Sequence, residues 1–194
     1  MVKYVYRIGC SWPEDDCFDP SIEEDYAEDD HDGWAYENER PCIVASWKGF
    51  LDILKWLCKN GFPLTLQCCE YAAHYGHFEI LKYLHEQKCP LPRQGGESTF
   101  SGASGSGHME ILEYLHENGC PWNSWVCFTA ACYGHFAVLK WLYKNGCSLD
   151  LHMCRYVAMS GHFEILKYIH KRGCILDEDT FFSAADGGHL EILK

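Results

Sequence analysis

The chain has 194 residues, 47% hydrophobic and 15% aromatic, with a net charge of −12; that is enough apolar material for the core of one domain. No apolar run approaches the roughly 18 residues of a membrane helix, and the opening MVKYVYRIGCSWPEDD lacks the order of a secretory signal. A membrane partner is excluded, and the expected location is the cytoplasm or nucleus, or the host cytoplasm for a viral chain. The charge is local: residues 1–40 carry thirteen acidic side chains against Lys3, Arg7 and Arg40, a net of −10, and the remaining fifteen against thirteen, a net of −2. No basic stripe is left to meet phosphate, which excludes nucleic acid as a partner.

Residues 1–12 read as a partial repeat, the end of a second helix. Lys3, Tyr4, Val5, Tyr6, Gly9, Cys10 and Trp12 match a pattern that returns further on at Lys140, Trp141, Leu142, Tyr143, Gly146, Cys120 and Trp122. Residues 13–41 contain EEDYAEDDHDG and read as an acidic insertion or a degenerate repeat. From residue 42 the chain repeats openly. GFLDILKWLCKNGFP at Gly49 returns as GHFEILKYLHEQKCP at Gly76, GHMEILEYLHENGCP at Gly107, GHFAVLKWLYKNGCS at Gly134, GHFEILKYIHKRGCI at Gly161 and GHLEILK at Gly188. The anchor glycines are 27, 31, 27, 27 and 27 residues apart, so the period is 27 with one four-residue insertion between Cys89 and Gly107.

Each copy predicts two helices. After the anchor, Phe78, Ile80, Leu81 and Leu84 recur at helical spacing, with Glu79 and Lys82 three apart on the wetter side. Before it lies a shorter helix carrying the column Cys42, Cys69, Phe100, Cys127, Cys154 and Phe181 and small residues such as Ala72, Ala73, Ala130 and Ala131. Glycine followed by Cys-Pro stops the second helix, as at Gly119, Cys120 and Pro121. One such hairpin cannot bury its apolar face alone, so an all-α solenoid of stacked helix-turn-helix repeats over 42–194 is expected, its last copy truncated.

The runs Ala72-Ala73-His74-Tyr75-Gly76-His77-Phe78-Glu79-Ile80 and Ala130-Ala131-Cys132-Tyr133-Gly134-His135 closely resemble the ankyrin repeat. These copies are shorter than the usual repeat of about 33 residues and lack its Thr-Pro-Leu-His start and β-turn finger. The resemblance implies stacked helical hairpins and protein binding. Arrays this short are similar to those that large DNA viruses and single-celled eukaryotes carry in many copies, often as adaptors.

Thirteen cysteines and eleven histidines invite a metal or disulfide reading. Equivalent residues of neighbouring repeats stand roughly 8 to 10 Å apart, too far to close on one ion or to bridge along a column. Free thiols are expected, with cysteine a small buried hydrophobe and the histidine after each anchor capping the second helix. No cofactor or metal is expected, nor any effect of reductant or chelator on stability. The stretch GGESTFSGASGSGH, residues 95–108, completes neither a phosphate loop nor a nucleophile elbow. Register makes it a poor first helix containing Gly102 and Gly105, packed closely, frayed, or left loose for a partner.

What packing leaves free are residues just before the anchors and in the loops. His74, Tyr75, Trp125, Cys132, Tyr133, His152 and Met159 are the candidate partner-binding positions, expected along one edge. The function expected is a non-enzymatic protein-protein interaction scaffold or adaptor with a protein partner. A fragment or decayed copy of a longer array, with no separate function, is the alternative.

Overall fold

The structure, a computed structural model, describes residues 35–89, 91, 97–150 and 152–194. The partial repeat at 1–12 and most of the acidic segment at 13–41 therefore lie outside the described residues. Among the described residues there is no strand, and six helical hairpins follow in chain order. Their first helices are α1 (Ala35–Lys48), α3 (Leu66–His74), α5 (Glu97–Gly105), α7 (Ser124–Cys132), α9 (Cys154–Met159) and α11 (Glu178–Asp186). Their second helices are α2 (Leu51–Lys59), α4 (Phe78–Glu86), α6 (Met109–Glu117), α8 (Phe136–Lys144), α10 (Phe163–His170) and α12 (Leu190–Leu193). Helix α1 begins at Ala35, so Cys42 lies inside it.

Both helices of a repeat end the same way. The N–H of His77 donates to the Ala72 carbonyl (2.8 Å), and the N–H of Cys89 to that of Leu84 (3.0 Å). This closing bond needs a left-handed residue before the donor. The anchor Gly76 supplies it after the first helix at φ 80°; after the second helix Gly119, Gly146 and Gly173 do, with Lys88 at φ 62° the non-glycine exception. The closing residue of the second helix turns back onto the hairpin, which is why Cys89, Cys120, Cys147 and Cys174 are all buried.

Small buried residues, Ala72 and Ala73, Ala103, Ala130 and Ala131, Ala158 and Ala184, let successive first helices meet closely. Helices α7 and α9 meet less closely than the others, with the rings of Phe128 and Tyr156 edge to face at 5.1 Å between them. Leu54 and Leu57, Ile80, Leu81 and Leu84, and their equivalents through Ile169 bury the second helices. Each such side chain contributes roughly 1.5 to 3 kcal/mol on leaving water. The wetter side carries the anticipated Glu79–Lys82 pair at 3.4 Å and its copy Glu164–Lys167 at 2.8 Å, both solvent-exposed.

Candidate functional site

The histidine after every anchor but Gly49, which Phe50 follows, stands at the N-cap of a second helix, but its side chain accepts no capping bond there. It reaches back one repeat. The Nε2–H of His77 donates to the Trp47 carbonyl (2.8 Å), His108 to His74 (3.1 Å), His135 to Gly105 (2.8 Å), His162 to Cys132 (3.0 Å) and His189 to Met159 (2.9 Å). Each acceptor is an unsatisfied carbonyl at the end of the preceding first helix. Each imidazole also lies on the preceding anchor glycine, where an added Cβ would come within 2.6 Å of the ring at Gly49 and at Gly134. The Gly-His dipeptide thus joins neighbouring repeats, a role that replaces the expected helix cap.

The expectation of free thiols throughout fails at one place. Cys154 and Cys174 are joined by a disulfide, their Cα atoms 6.1 Å apart. The distance argument holds along a column, but this bridge lies within one repeat, between the first helix and the residue that closes the second. The same two positions hold Cys69 and Cys89, whose Sγ atoms are 3.6 Å apart, and the hydrogen-bonded thiols of Cys127 and Cys147. Donation to its partner, with burial, holds the Cys69 thiol far above the usual range, and Cys89 is lowered by receiving that bond. Cys127 and Cys147 behave alike. Burial alone pushes the Cys132 thiol up to about 11. Among the described residues no group of three or more His, Cys, Asp or Glu side chains could hold a metal ion, and no helix is long and apolar enough to cross a membrane.

The candidate partner-binding residues fall into two groups on the first helices. His74 and Tyr75, Tyr133 and Met159 stand exposed at C-terminal ends. Trp125 and His152 stand exposed at the opposite end, Trp125 in the first turn of α7. Trp125 and Tyr133 are separated by about 12 Å along α7, so the expected single edge is instead the two margins of one face. Cys132 is only half-buried, and its carbonyl is taken by His162. Between the margins lie aromatics that sequence reasoning missed: Phe128 stacks on Trp125 at 4.4 Å, and Tyr156 meets Phe128. The signal was available, because the column of Phe128 varies as Glu70, Ser101, Arg155 and Phe182 in other copies.

Residues 69–153 match the family model of ankyrin repeats, in three copies. Over residues 69–153 the array is built of ankyrin repeats. The ankyrin repeat domain of human ASB11, solved by crystallography, superposes with a TM-score of 0.62 at 19% identity, covering 75% of this chain and 76% of that one. No curated protein sequence matches the chain. Ankyrin repeats are in general protein-interaction modules and typically non-enzymatic, so the exposed first-helix face of this ankyrin array is the surface to weigh.

Proposed function

We propose that this ankyrin array is a non-enzymatic recognition scaffold, acting in the cytoplasm, that binds a protein partner across the exposed face of its first helices. One observation carries the reading. On α7 the inward side chains Val126, Cys127, Ala130 and Ala131 are fully buried, while Trp125 is 54% and Tyr133 68% exposed. Large aromatics left in water on a helix with a complete core make physical sense when a partner covers them, since such side chains dominate interface energies.

The test is affinity capture with the full chain as bait, read by mass spectrometry, for the native protein and for Trp125→Ala combined with Tyr133→Ala. The double variant is expected to keep its melting temperature and to bind the main captured protein about tenfold more weakly, equivalent to about 1.4 kcal/mol. Equal capture by both proteins would remove this face as the binding surface.

A further inference from the structure

We propose that the cysteine pairs Cys69/Cys89 and Cys127/Cys147 are oxidation sites at which hydrogen peroxide forms a disulfide within the repeat, as already joins Cys154 to Cys174. This inference is independent of the protein-binding reading. Its ground is a repeated geometry. In three copies a cysteine seven residues before the anchor meets one thirteen residues after it, 20 residues apart in sequence. One of these pairs is bonded and another has its sulfurs at 3.6 Å. In the copies at Gly49 and Gly107 the same two positions hold Cys42 with Phe62 and Phe100 with Cys120, so those repeats cannot form the bond and serve as controls.

The local hydrogen bonds give the two sulfurs of a pair different roles. Cys69 donates to Cys89, whose own thiol bonds to the Thr65 carbonyl at 3.2 Å. The fourth repeat copies this, with Cys147 bonded to the Asn123 carbonyl at 3.5 Å. The bond received from the partner favours thiolate at Cys89 and Cys147, which must give up their own bonds to the carbonyls to ionise, and they lie slightly nearer the surface than their fully buried partners. Peroxide is close to water in size and needs little opening to reach them. The Cys89 thiolate attacks one peroxide oxygen: an S–O bond forms, the O–O bond breaks, and hydroxide leaves as water, giving a sulfenic acid. Cys69 sulfur then attacks Cys89 sulfur: the S–S bond forms, the S–O bond breaks, and a second water carries off the Cys69 proton. The two sulfurs lose two electrons, and one peroxide becomes two waters.

The experiment uses the full chain, reduced with dithiothreitol, desalted, treated with dilute hydrogen peroxide, blocked with N-ethylmaleimide and mapped by peptide mass spectrometry. Expected are the bonds Cys69–Cys89, Cys127–Cys147 and Cys154–Cys174, maleimide on Cys42, Cys58 and Cys132, an unchanged helical circular dichroism signal, and a melting temperature that rises on oxidation and falls back with dithiothreitol. Maleimide on Cys69, Cys89, Cys127 and Cys147 after Cys58 or Cys132 has been oxidised would overturn the proposal. So would bonds to other partners, Cys68 in place of Cys69 above all. In Cys127→Ala, dimedone is expected to trap a sulfenic acid on Cys147; labelling instead of Cys127 in Cys147→Ala would reverse the assigned order of attack.

Discussion

Gly134 and Gly146 both adopt left-handed backbone, at φ 84° and 89°, yet they differ in what surrounds them. A Cβ on Gly146 meets nothing within 4 Å, whereas on Gly134 it lies 2.6 Å from Cε1 of His162. Gly146→Ala is expected to cost roughly 1 to 2 kcal/mol, the penalty of the backbone alone. Gly134→Ala should cost about 1 kcal/mol more, because the imidazole must leave the Cys132 carbonyl as well; urea titration of the two variants reads the difference, and equal losses would remove the Gly-His joint. The same joint makes stability depend on pH. Burial holds the His108 pKa below its ordinary value, helped by the neighbouring His74, His135 and His77 and opposed by its bond to the His74 carbonyl. The fold therefore prefers neutral His108. Its contribution is present above the unfolded histidine pKa of about 6.5 and is lost as pH falls below it. Urea midpoints at pH 7.5 and 5.5 are expected to fall with acid, and to fall less in His108→Gln.

At the scale of the element, α5 is the anomaly. Gly102 and Gly105 each cost about 1 kcal/mol relative to alanine in a helix interior, and the side-chain oxygens of Thr99 and Ser101 are buried without a hydrogen-bond partner among the described residues. The glycines are there for closeness: a Cβ on Gly102 would lie 3.1 Å from His74, and one on Gly105 3.3 Å from Tyr133. Hydrogen exchange is expected to show α5 opening well before α7 to α10, and uniform protection across both would end this reading. The thinner α7/α9 seam is the rival weak point, but the Phe128–Tyr156 contact fills it. The helices themselves were legible in the sequence, because the spacing of Phe78, Ile80, Leu81 and Leu84 recurs from copy to copy in a pattern only a helix face explains. The work of His135 was not, because its acceptor, Gly105, lies 30 residues earlier in another repeat. Nor was the cysteine pairing: Cys154 and Cys174 look remote until the hairpin closes, and comparison along columns hides a contact made within one copy. The face proposed for binding was half legible, since variability marked Trp125 and Tyr133 but could not show that they stand at opposite ends of one helix.

The whole molecule follows from the joints, since each repeat touches only its neighbours and stability becomes a sum of local terms. Leu142 is fully buried on α8, and its carbonyl closes that helix by accepting from the N–H of Cys147 at 3.0 Å. Truncating it to alanine removes buried apolar atoms and leaves a cavity, which costs about 2 to 5 kcal/mol. In a molecule with one indivisible core, that loss would appear at every slowly exchanging amide. Here α5 lies between Leu142 and the first two repeats, and its weak helix and two glycines limit how far the loss spreads. Leu142→Ala is therefore expected to accelerate hydrogen exchange strongly over residues 124–170 and only slightly over residues 51–86. A denaturant titration should accordingly separate into two transitions, of which only one moves. Adding Ser101→Ala, which removes a buried hydroxyl without a hydrogen-bond partner among the described residues and raises helix propensity, to the Leu142→Ala background then tests the joint itself. If α5 is what uncouples the two halves, strengthening it should draw the transitions together, and an acceleration shared equally by all repeats in Leu142→Ala alone would show that the array already unfolds as one unit.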